Sequence, residues 1–229
     1  MGNTGFRIYN QFERPPRSLV DAFSGIPVAN IADNMNRTFC IGGGIRPYNV
    51  KPLIGSAFTV KTRPGDNLLL NKAIDMASPG DIIVVEAQGD TTNALMGELM
   101  VAWAQNRGIA GFVIDGAIRD AGVIRQMTMP VYAAGVTPAG PYKDGPGEIN
   151  SSISCGGVTV RPGDILIGDE DGVVVINPKD AREILENARK TVTKEEKVMA
   201  GIRNGIWDRT WIDKTLRDKG CEFVDCFTN

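Results

Sequence analysis

Short apolar runs alternate with amphipathic segments through the first two thirds of the chain, which is the pattern of an α/β protein. Helices are predicted over residues 67–76 and 95–106, and Gly108 supplies a stop signal for the second. Residues 86–93 and 115–120 are polar and are predicted to be loops. Four apolar runs predict strands, at residues 57–62, 82–85, 112–114 and 131–134.

The two ends of the chain have other patterns. Three short apolar runs at 158–160, 165–167 and 173–176 predict an antiparallel meander. A long charged helix is predicted from Pro178 to Met199, and a last helix near 211–217. Residues 1–17 are predicted to be an irregular arm. We expect a single domain over 1–229, with this arm and the C-terminal helices (178–229) at subunit interfaces.

The tripeptide Pro-Gly-Asp occurs three times along the chain. The copies end at Asp66, Asp81 and Asp164. Their flanking residues do not recur at a common period, so we interpret them as three similar turns and not as an internal repeat.

Composition restricts the function. The formal net charge of −2 gives no electrostatic reason to expect nucleic-acid binding. No apolar run is long enough for a transmembrane helix, and the N-terminus lacks a signal-peptide core, so we expect a cytoplasmic protein. The cysteines form no CxxC pair and are predicted to be free thiols; they are Cys40, Cys155, Cys221 and Cys226.

The chain has no histidine, which determines the chemistry that remains. Ser–His and Cys–His dyads are excluded, as is every imidazole metal ligand. A metal held by oxygen ligands is typically magnesium, manganese or calcium. Proton transfer has to involve carboxylates, Lys, Tyr or water.

Two short clusters each lie where a predicted loop meets a predicted helix. The first is Gly97-Glu98-Leu99-Met100, and the second, after 18 intervening residues, is Arg119-Asp120. Helix N-termini bind anions, and Arg suits bidentate recognition of a carboxylate. Asp120 can ligate a magnesium ion surrounded mainly by water. The clusters together predict a site for a small carboxylate and a metal, although each alone also fits an ordinary helix start.

Two further groups offer alternatives. Lys61 could form a Schiff base if it were buried, but a strand lysine more often faces water. Glu195 and Glu196 lie in a Lys-Glu-Glu-Lys run that is typical of a solvated helix face.

The motif GELM-x18-RD, preceded by PGDIIVVEAQGD and followed by GVTVRPGDILIGDEDGVVVI, resembles the class II 4-hydroxy-4-methyl-2-oxoglutarate aldolases. This family includes the regulator of ribonuclease activity A. The resemblance implies a swivelling-domain-like β/β/α fold, assembled as a trimer or a dimer of trimers. It also implies Mg²⁺ or Mn²⁺, retro-aldol cleavage of a 4-hydroxy-2-oxo acid to pyruvate, and oxaloacetate decarboxylation as a side activity.

The resemblance also implies roles for individual residues. Gly97, Glu98, Leu99 and Met100 would bind substrate, mainly through backbone amides. Arg119 would contact the pyruvoyl oxygens, and Asp120 would hold the metal. Glu195 of a neighbouring subunit, or else Glu196, would order a metal-shell water.

A non-catalytic regulator that binds a ribonuclease or a helicase is the alternative from the same family. The regulator branch carries an acidic residue three positions after its Arg-Asp pair, and this chain has Val123 there. The departure favours the aldolase over the regulator.

Overall fold

The computed structural model describes residues 3–224. The chain forms two compact units, Met1–Arg189 and Lys190–Asn229. The single domain expected over residues 1–229 stays a prediction. Among the described residues, no helix combines the length and apolar character that crossing a bilayer requires. Cys40, Cys155 and Cys221 carry free thiols, and Cys226 lies outside the described residues.

The first unit is built on one large sheet and a small two-stranded one. The strands within residues 3–224 are β1 (Phe6–Ile8), β2 (Arg46–Pro47), β3 (Leu53–Thr62), β4 (Asp81–Met96), β5 (Gly111–Ile118), β6 (Val131–Val136), β7 (Gly147–Ile149), β8 (Ile153–Cys155), β9 (Val158–Val160), β10 (Ile165–Asp169) and β11 (Gly172–Ile176). The order of the large sheet is β1-β7-β3-β4-β5-β6-β2, with β10 pairing to β3 and to β11. Strands β8 and β9 form the small sheet.

The strands β3, β4, β5 and β6 are mutually parallel, so their carboxyl ends meet at one edge of the sheet. The helices before the last two are α1 (Arg17–Asp21), α2 (Val28–Asp33), α3 (Leu68–Met76), α4 (Glu98–Asn106) and α5 (Ala121–Ile124). Helix α6 (Ala181–Arg203) begins in the first unit and continues into the second, which also contains α7 (Thr210–Asp218).

Both faces of the parallel strands are covered, which explains why the run at 82–85 is apolar without alternation. Ile83 and Val85 belong to the core shared with α3 and α4. Ile82 and Val84 point to the opposite face and join the core beneath β8–β9 and β10–β11. The first unit therefore has a β layer, the central sheet and an α layer.

The predicted loop at 86–93 is wrong, because β4 continues through it to Met96. The strand follows β5 with register shifts, pairing Asp90 with Gly116 and Ala94 with Ala117. The loop was predicted from the polar run and Gly89, and bulges of this kind let a strand continue through such residues. The predicted loop at 115–120 is partly wrong for the same reason, since β5 reaches Ile118. Helix α4 accordingly begins at Glu98 and not at Leu95.

Two predictions about the chain ends need correction. The arm at 1–17 is not wholly irregular, because β1 pairs with β7 in parallel. The strand at 158–160 does not join a meander with the next two, because β9 pairs with β8. Both strands have three residues, which is too short to show an alternating hydrophobic pattern. The partner of β1 is distant in the chain, and the partner of β9 was not predicted.

Candidate functional site

The carboxyl ends of β4 and β5 bring the two predicted clusters together. Met96 and Ile118 are register partners at the ends of these strands, and the Arg119 N–H donates to the Met96 carbonyl at 2.9 Å. Gly97 and Arg119 therefore leave the sheet side by side. They border a cleft of ≈ 580 Å³ that is lined by Gly97–Met100, Arg119 and Asp120 among others. The crevice beyond strand carboxyl ends is the usual ligand site of α/β sheets.

Gly97 caps helix α4 and leaves part of its N-terminus available. The Glu98 N–H donates to Asp120 Oδ2 at 3.1 Å, and the Met100 N–H donates to the Gly97 carbonyl at 3.1 Å. The Leu99 N–H has no hydrogen-bond acceptor within residues 3–224. This amide lies at the positive end of the helix dipole, where an anion is stabilised.

Glycine at position 97 is a steric requirement. A β-carbon there would overlap the Asp120 carboxylate and approach Arg119 Cγ to 3.0 Å. Any other residue would push the Arg119-Asp120 pair away from the helix start. The pairing of β4 with β5 brings the two clusters together, and the missing side chain at Gly97 lets the Arg119 and Asp120 side chains lie against the helix start.

Asp120 is held in an uncommon backbone conformation. Its φ of 57° and ψ of 30° place it in the left-handed region, which Asp adopts more readily than most residues. Its Oδ2 faces the Glu98 amide, whereas its Oδ1 accepts no hydrogen bond from the described residues. Backbone strain of this kind clusters at functional sites. The geometry leaves one carboxylate oxygen for a ligand or a cation.

Arg119 is also partly uncommitted. Its Nε lies 3.7 Å from Asp120 Oδ2, and its side chain is 45% exposed. Its terminal Nη groups make no hydrogen bond within residues 3–224. The planar guanidinium can therefore donate two parallel hydrogen bonds to an incoming carboxylate.

The cleft contains residues that the sequence patterns did not identify, including Asn67, Asn71 and Lys143. Asn67 is 3% exposed; its Nδ2 donates to the Leu95 carbonyl at 2.8 Å, and its Oδ1 is a buried acceptor without a partner in the described part of the chain. Lys143 has no ion-pair partner among residues 3–224 and adds a second cation to the cleft. Asn67 and Asn71 lie within the helix predicted over residues 67–76, and nothing in the sequence marked them or Lys143 as cleft residues.

The alternative residues lie elsewhere. Lys61 on β3 is 47% exposed and forms an ion pair with Glu86 at 3.2 Å. A Schiff-base lysine needs a desolvated pocket, so this environment does not favour imine chemistry. Glu195 and Glu196 lie on α6 in the second unit, and the role proposed for Glu195 stays a prediction.

A group of three His, Cys, Asp or Glu side chains that could hold a metal is absent from residues 3–224. Mg²⁺ does not need such a cage, because it commonly keeps several waters and takes one or two carboxylates. The single free Oδ1 of Asp120 in an open cleft fits that mode of binding.

The fold and cleft define an α/β protein with a polar cleft at the carboxyl edge of its parallel strands. The chain belongs to the RraA-like family: the family model described as Aldolase/RraA matches residues 28–175. A Halalkalibacterium halodurans protein, provisionally named as a 4-hydroxy-4-methyl-2-oxoglutarate aldolase, is 39% identical over 199 residues. That match covers 86% of this chain and 95% of the relative.

Solved structures agree with this assignment. Streptomyces coelicolor RraAS2, described as an unusual member of the RNase ES inhibitor RraA family, has a TM-score of 0.75 and 28% identity. The match covers 81% of this chain and 98% of that one. The RNA-processing inhibitor RraA from Thermus thermophilis has a TM-score of 0.61 and 26% identity, over 66% and 92% of the chains. The family resemblance and the RraA-like α/β fold are confirmed, in a family whose members are named both as aldolases and as inhibitors.

Proposed function

We propose that this chain is a divalent-metal-dependent lyase that cleaves 4-hydroxy-4-methyl-2-oxoglutarate, or a related 4-hydroxy-2-oxo acid, to pyruvate. Oxaloacetate decarboxylation is the expected side activity. One observation carries the proposal: a single cleft presents the free Nη groups of Arg119, the free Oδ1 of Asp120 and the free amide of Leu99. These groups complement a 2-oxo carboxylate and a cation.

Asp120 would hold the metal, which is Mg²⁺ or Mn²⁺ in this proposal, with water completing its shell. A bound divalent cation would supply Lewis acidity at the keto and carboxylate oxygens of the substrate. The hydrogen bond from the Glu98 amide orients the Asp120 carboxylate by holding Oδ2 and leaving Oδ1 exposed to the cleft.

The protein groups have separate tasks in the cleavage. Loss of the C4 hydroxyl proton starts the reaction. The C4–O bond becomes a carbonyl as the C3–C4 bond breaks, which releases one oxo acid, and the electron pair of the broken bond moves through C3 and C2 onto the C2 oxygen to give the pyruvate enolate. Arg119 stabilises the negative charge that develops there, and the Leu99 amide binds the substrate carboxylate.

Proton transfer proceeds without histidine. A water held by a carboxylate takes the C4 hydroxyl proton and later returns a proton to C3 of the enolate, which yields pyruvate. Decarboxylation of oxaloacetate gives the same enolate, so one site serves both reactions. Lys143 can pair with the second carboxylate that both substrates carry.

The first test is pyruvate release from oxaloacetate and from 4-hydroxy-4-methyl-2-oxoglutarate. We expect activity on both, its loss in excess EDTA, and its return on addition of Mg²⁺ or Mn²⁺. Full activity in EDTA would contradict the metal requirement. Borohydride trapping with pyruvate is expected to give no adduct, whereas an adduct that disappears in a Lys61→Met variant would establish the lysine mechanism instead.

The names of the two inhibitor structures support a second candidate, a regulator that binds a ribonuclease without chemistry. This candidate predicts inhibition of a ribonuclease that survives replacement of Arg119 and Asp120. The lyase predicts turnover that the same replacements remove. Measuring both readouts on the same variants separates the two functions.

We also propose that the active site is shared between subunits of a homotrimer or a dimer of trimers. Glu195 follows Asp120 by about 75 residues and lies on the 23-residue helix α6. At ~1.5 Å per residue, a helix of this length can extend from its own core to a neighbour. Cyclic symmetry would repeat the contact at every interface.

Subunit mixing tests the shared site. Asp120→Ala and Glu195→Ala proteins are each expected to be inactive, and mixtures that exchange subunits are expected to regain activity. Recovery occurs because some interfaces then pair an intact Asp120 with an intact Glu195. Confirmed exchange without recovered activity would contradict the model. A fully active Glu195→Ala protein would transfer the role to Glu196, whose replacement is the matched variant.

A further inference from the structure

The three Pro-Gly-Asp turns share a backbone conformation but differ in what the aspartate binds. Their glycines have φ values of 73° at Gly65, 87° at Gly80 and 87° at Gly163. In the second turn Asp81 Oδ2 accepts the Ser78 N–H at 2.8 Å, and the Arg14 guanidinium donates to Oδ1 at 2.9 Å and to Oδ2 at 2.7 Å. The third turn repeats this bond, since Asp164 Oδ2 accepts the Arg161 N–H at 2.8 Å. Each of these carboxylates therefore closes its own turn.

Asp66 departs from this pattern. Its Oδ2 accepts two N–H groups of a distant loop, from Asp144 at 2.7 Å and from Gly145 at 2.9 Å. Its Oδ1 accepts the Leu68 N–H at 2.9 Å, and Arg63 Nη2 donates to Oδ2 at 3.2 Å. The carboxylate thus connects the turn to a segment that is 78 residues away in the chain.

This carboxylate is fully buried and charged. Burial by itself raises the pKa of Asp66, but the three backbone N–H groups and Arg63 outweigh burial and lower the pKa below its ordinary value. Hydrogen bonds to a charged acceptor are shorter and stronger than neutral ones. The Asp66 contacts are therefore a firm attachment for the loop.

The backbone reinforces the same attachment. The Tyr142 N–H donates to the Gly65 carbonyl at 2.8 Å, and the Asn67 N–H donates to the Tyr142 carbonyl at 3.0 Å. Lys143 lies between the attached residues Tyr142 and Asp144 and lines the candidate cleft. The turn that ends at Asp66 therefore fixes the backbone on both sides of this lysine.

We propose that Asp66 is a positioning residue of the cleft, whose carboxylate holds residues 140–145 so that Lys143 can bind the second acidic group of the ligand. The proposal rests on the proposed function for one point, that the ligand is a dicarboxylate. It places the recognition of the second carboxylate on a segment outside the Gly97–Met100 and Arg119-Asp120 clusters. In the other two turns the carboxylate closes its own turn, and at Asp81 it also binds Arg14, but neither aspartate holds a segment that lines the cleft.

A double-mutant cycle tests this role through the Michaelis constant for oxaloacetate. Asp66→Asn leaves an amide that cannot accept all the hydrogen bonds of the carboxylate, and Lys143→Met removes the ammonium group. Each variant is expected to raise KM about tenfold, the size of one hydrogen bond to a charged group, with kcat changed less. The double variant is expected to be no worse than Lys143→Met, because both changes remove the same interaction.

The matched control is Asp164→Asn, which replaces the buried aspartate of the third turn. Asp164→Asn is expected to lower Tm and leave KM unchanged. It therefore shows that a loss of stability alone does not raise KM. Additive effects of Asp66→Asn and Lys143→Met on KM, an unchanged KM in Asp66→Asn, or a raised KM in Asp164→Asn would overturn the proposal. If Asp66→Asn does not fold, Asp66→Glu keeps the charge while displacing both oxygens, and the same outcomes apply to it.

A second readout separates this inference from the proposed function. Malate carries two carboxylates and is not cleaved, so its calorimetric Kd can be measured whether or not the protein turns over oxaloacetate. Inactive wild-type protein would contradict the lyase function. Weaker malate binding in Asp66→Asn and Lys143→Met, with no further loss in the double variant, would still support the positioning role. Equal malate binding in all the proteins would overturn it.

Discussion

Replacing Asp120 by Ala is expected to abolish metal-dependent pyruvate release while leaving the fold intact. The side chain is 42% exposed, and the hydrogen bond that it accepts from the Glu98 N–H can be replaced by one to water. Its Oδ1 is the free carboxylate oxygen proposed to hold the metal beside Arg119. Loss of even an indirect metal contact typically costs 10–100-fold, so the direct ligand is expected to cost more than ~100-fold in rate. Steady-state assays with Mg²⁺ or Mn²⁺ measure the change.

Two further variants identify the cause of that loss. Asp120→Asn keeps an oxygen for the Glu98 amide but loses the charge, so it is expected to be nearly as inactive as the alanine variant. Asp171→Ala removes an exposed aspartate between β10 and β11, outside the cleft lining, and is expected to retain full activity. An unchanged rate in Asp120→Ala would contradict the assigned role. Asp120→Ala is expected to lower Tm modestly, because Ala tolerates the left-handed backbone of residue 120 less well than Asp; Asp120→Asn avoids this cost, so its loss of rate isolates the loss of the carboxylate.

The juxtaposition of the two clusters could be predicted from the sequence because parallel strands impose it. A strand, a helix and a second strand place successive carboxyl ends at the same edge when the strands are neighbours. The structure has this arrangement, with Met96 and Ile118 in register. The family resemblance added the chemistry, since the spacing of the clusters alone does not distinguish a metal site from an ordinary helix start.

The extension of β4 could not be predicted because its pairing with β5 is irregular. Residues 86–93 are mostly polar, and Gln88 and Gly89 have positive φ values, which is the local signal of a turn. The strand persists because β5 supplies partners beyond each bulge. This extension matters for the site, since it carries the chain directly from the sheet to Gly97 without a flexible loop.

The remaining cleft residues depend on contacts between distant parts of the chain. Lys143 stands in a stretch rich in Gly and Pro that has no periodicity, and its place in the cleft follows from the bonds that Asp66 makes to residues 144 and 145. The sequence does show the Pro-Gly-Asp turn. It does not show that Asp66 binds the backbone of a distant loop, whereas Asp164 closes its own turn and Asp81 closes its own turn and pairs with Arg14.

Replacing Arg119 by Ala is expected to lower kcat by ~10²–10³, the usual cost of removing one donor that stabilises developing negative charge. The Nη groups have no partner in the described residues, so their proposed acceptors are the oxygens of the substrate. Arg119→Lys keeps a positive charge but loses the planar pair of donors, so it is expected to recover only part of the rate. Steady-state kinetics on oxaloacetate, with saturating metal, measure both variants.

The order of activity among the Arg119 variants is what distinguishes specific recognition from a general electrostatic effect. If the guanidinium geometry matters, wild type exceeds Arg119→Lys and the lysine variant exceeds Arg119→Ala, with metal affinity similar in all three because Asp120 is unchanged. If only charge matters, Arg119→Lys equals wild type. Arg182→Ala removes an exposed arginine of α6 outside the cleft lining and is expected to match wild type. An Arg119→Ala protein within twofold of wild type would exclude Arg119 from the reaction.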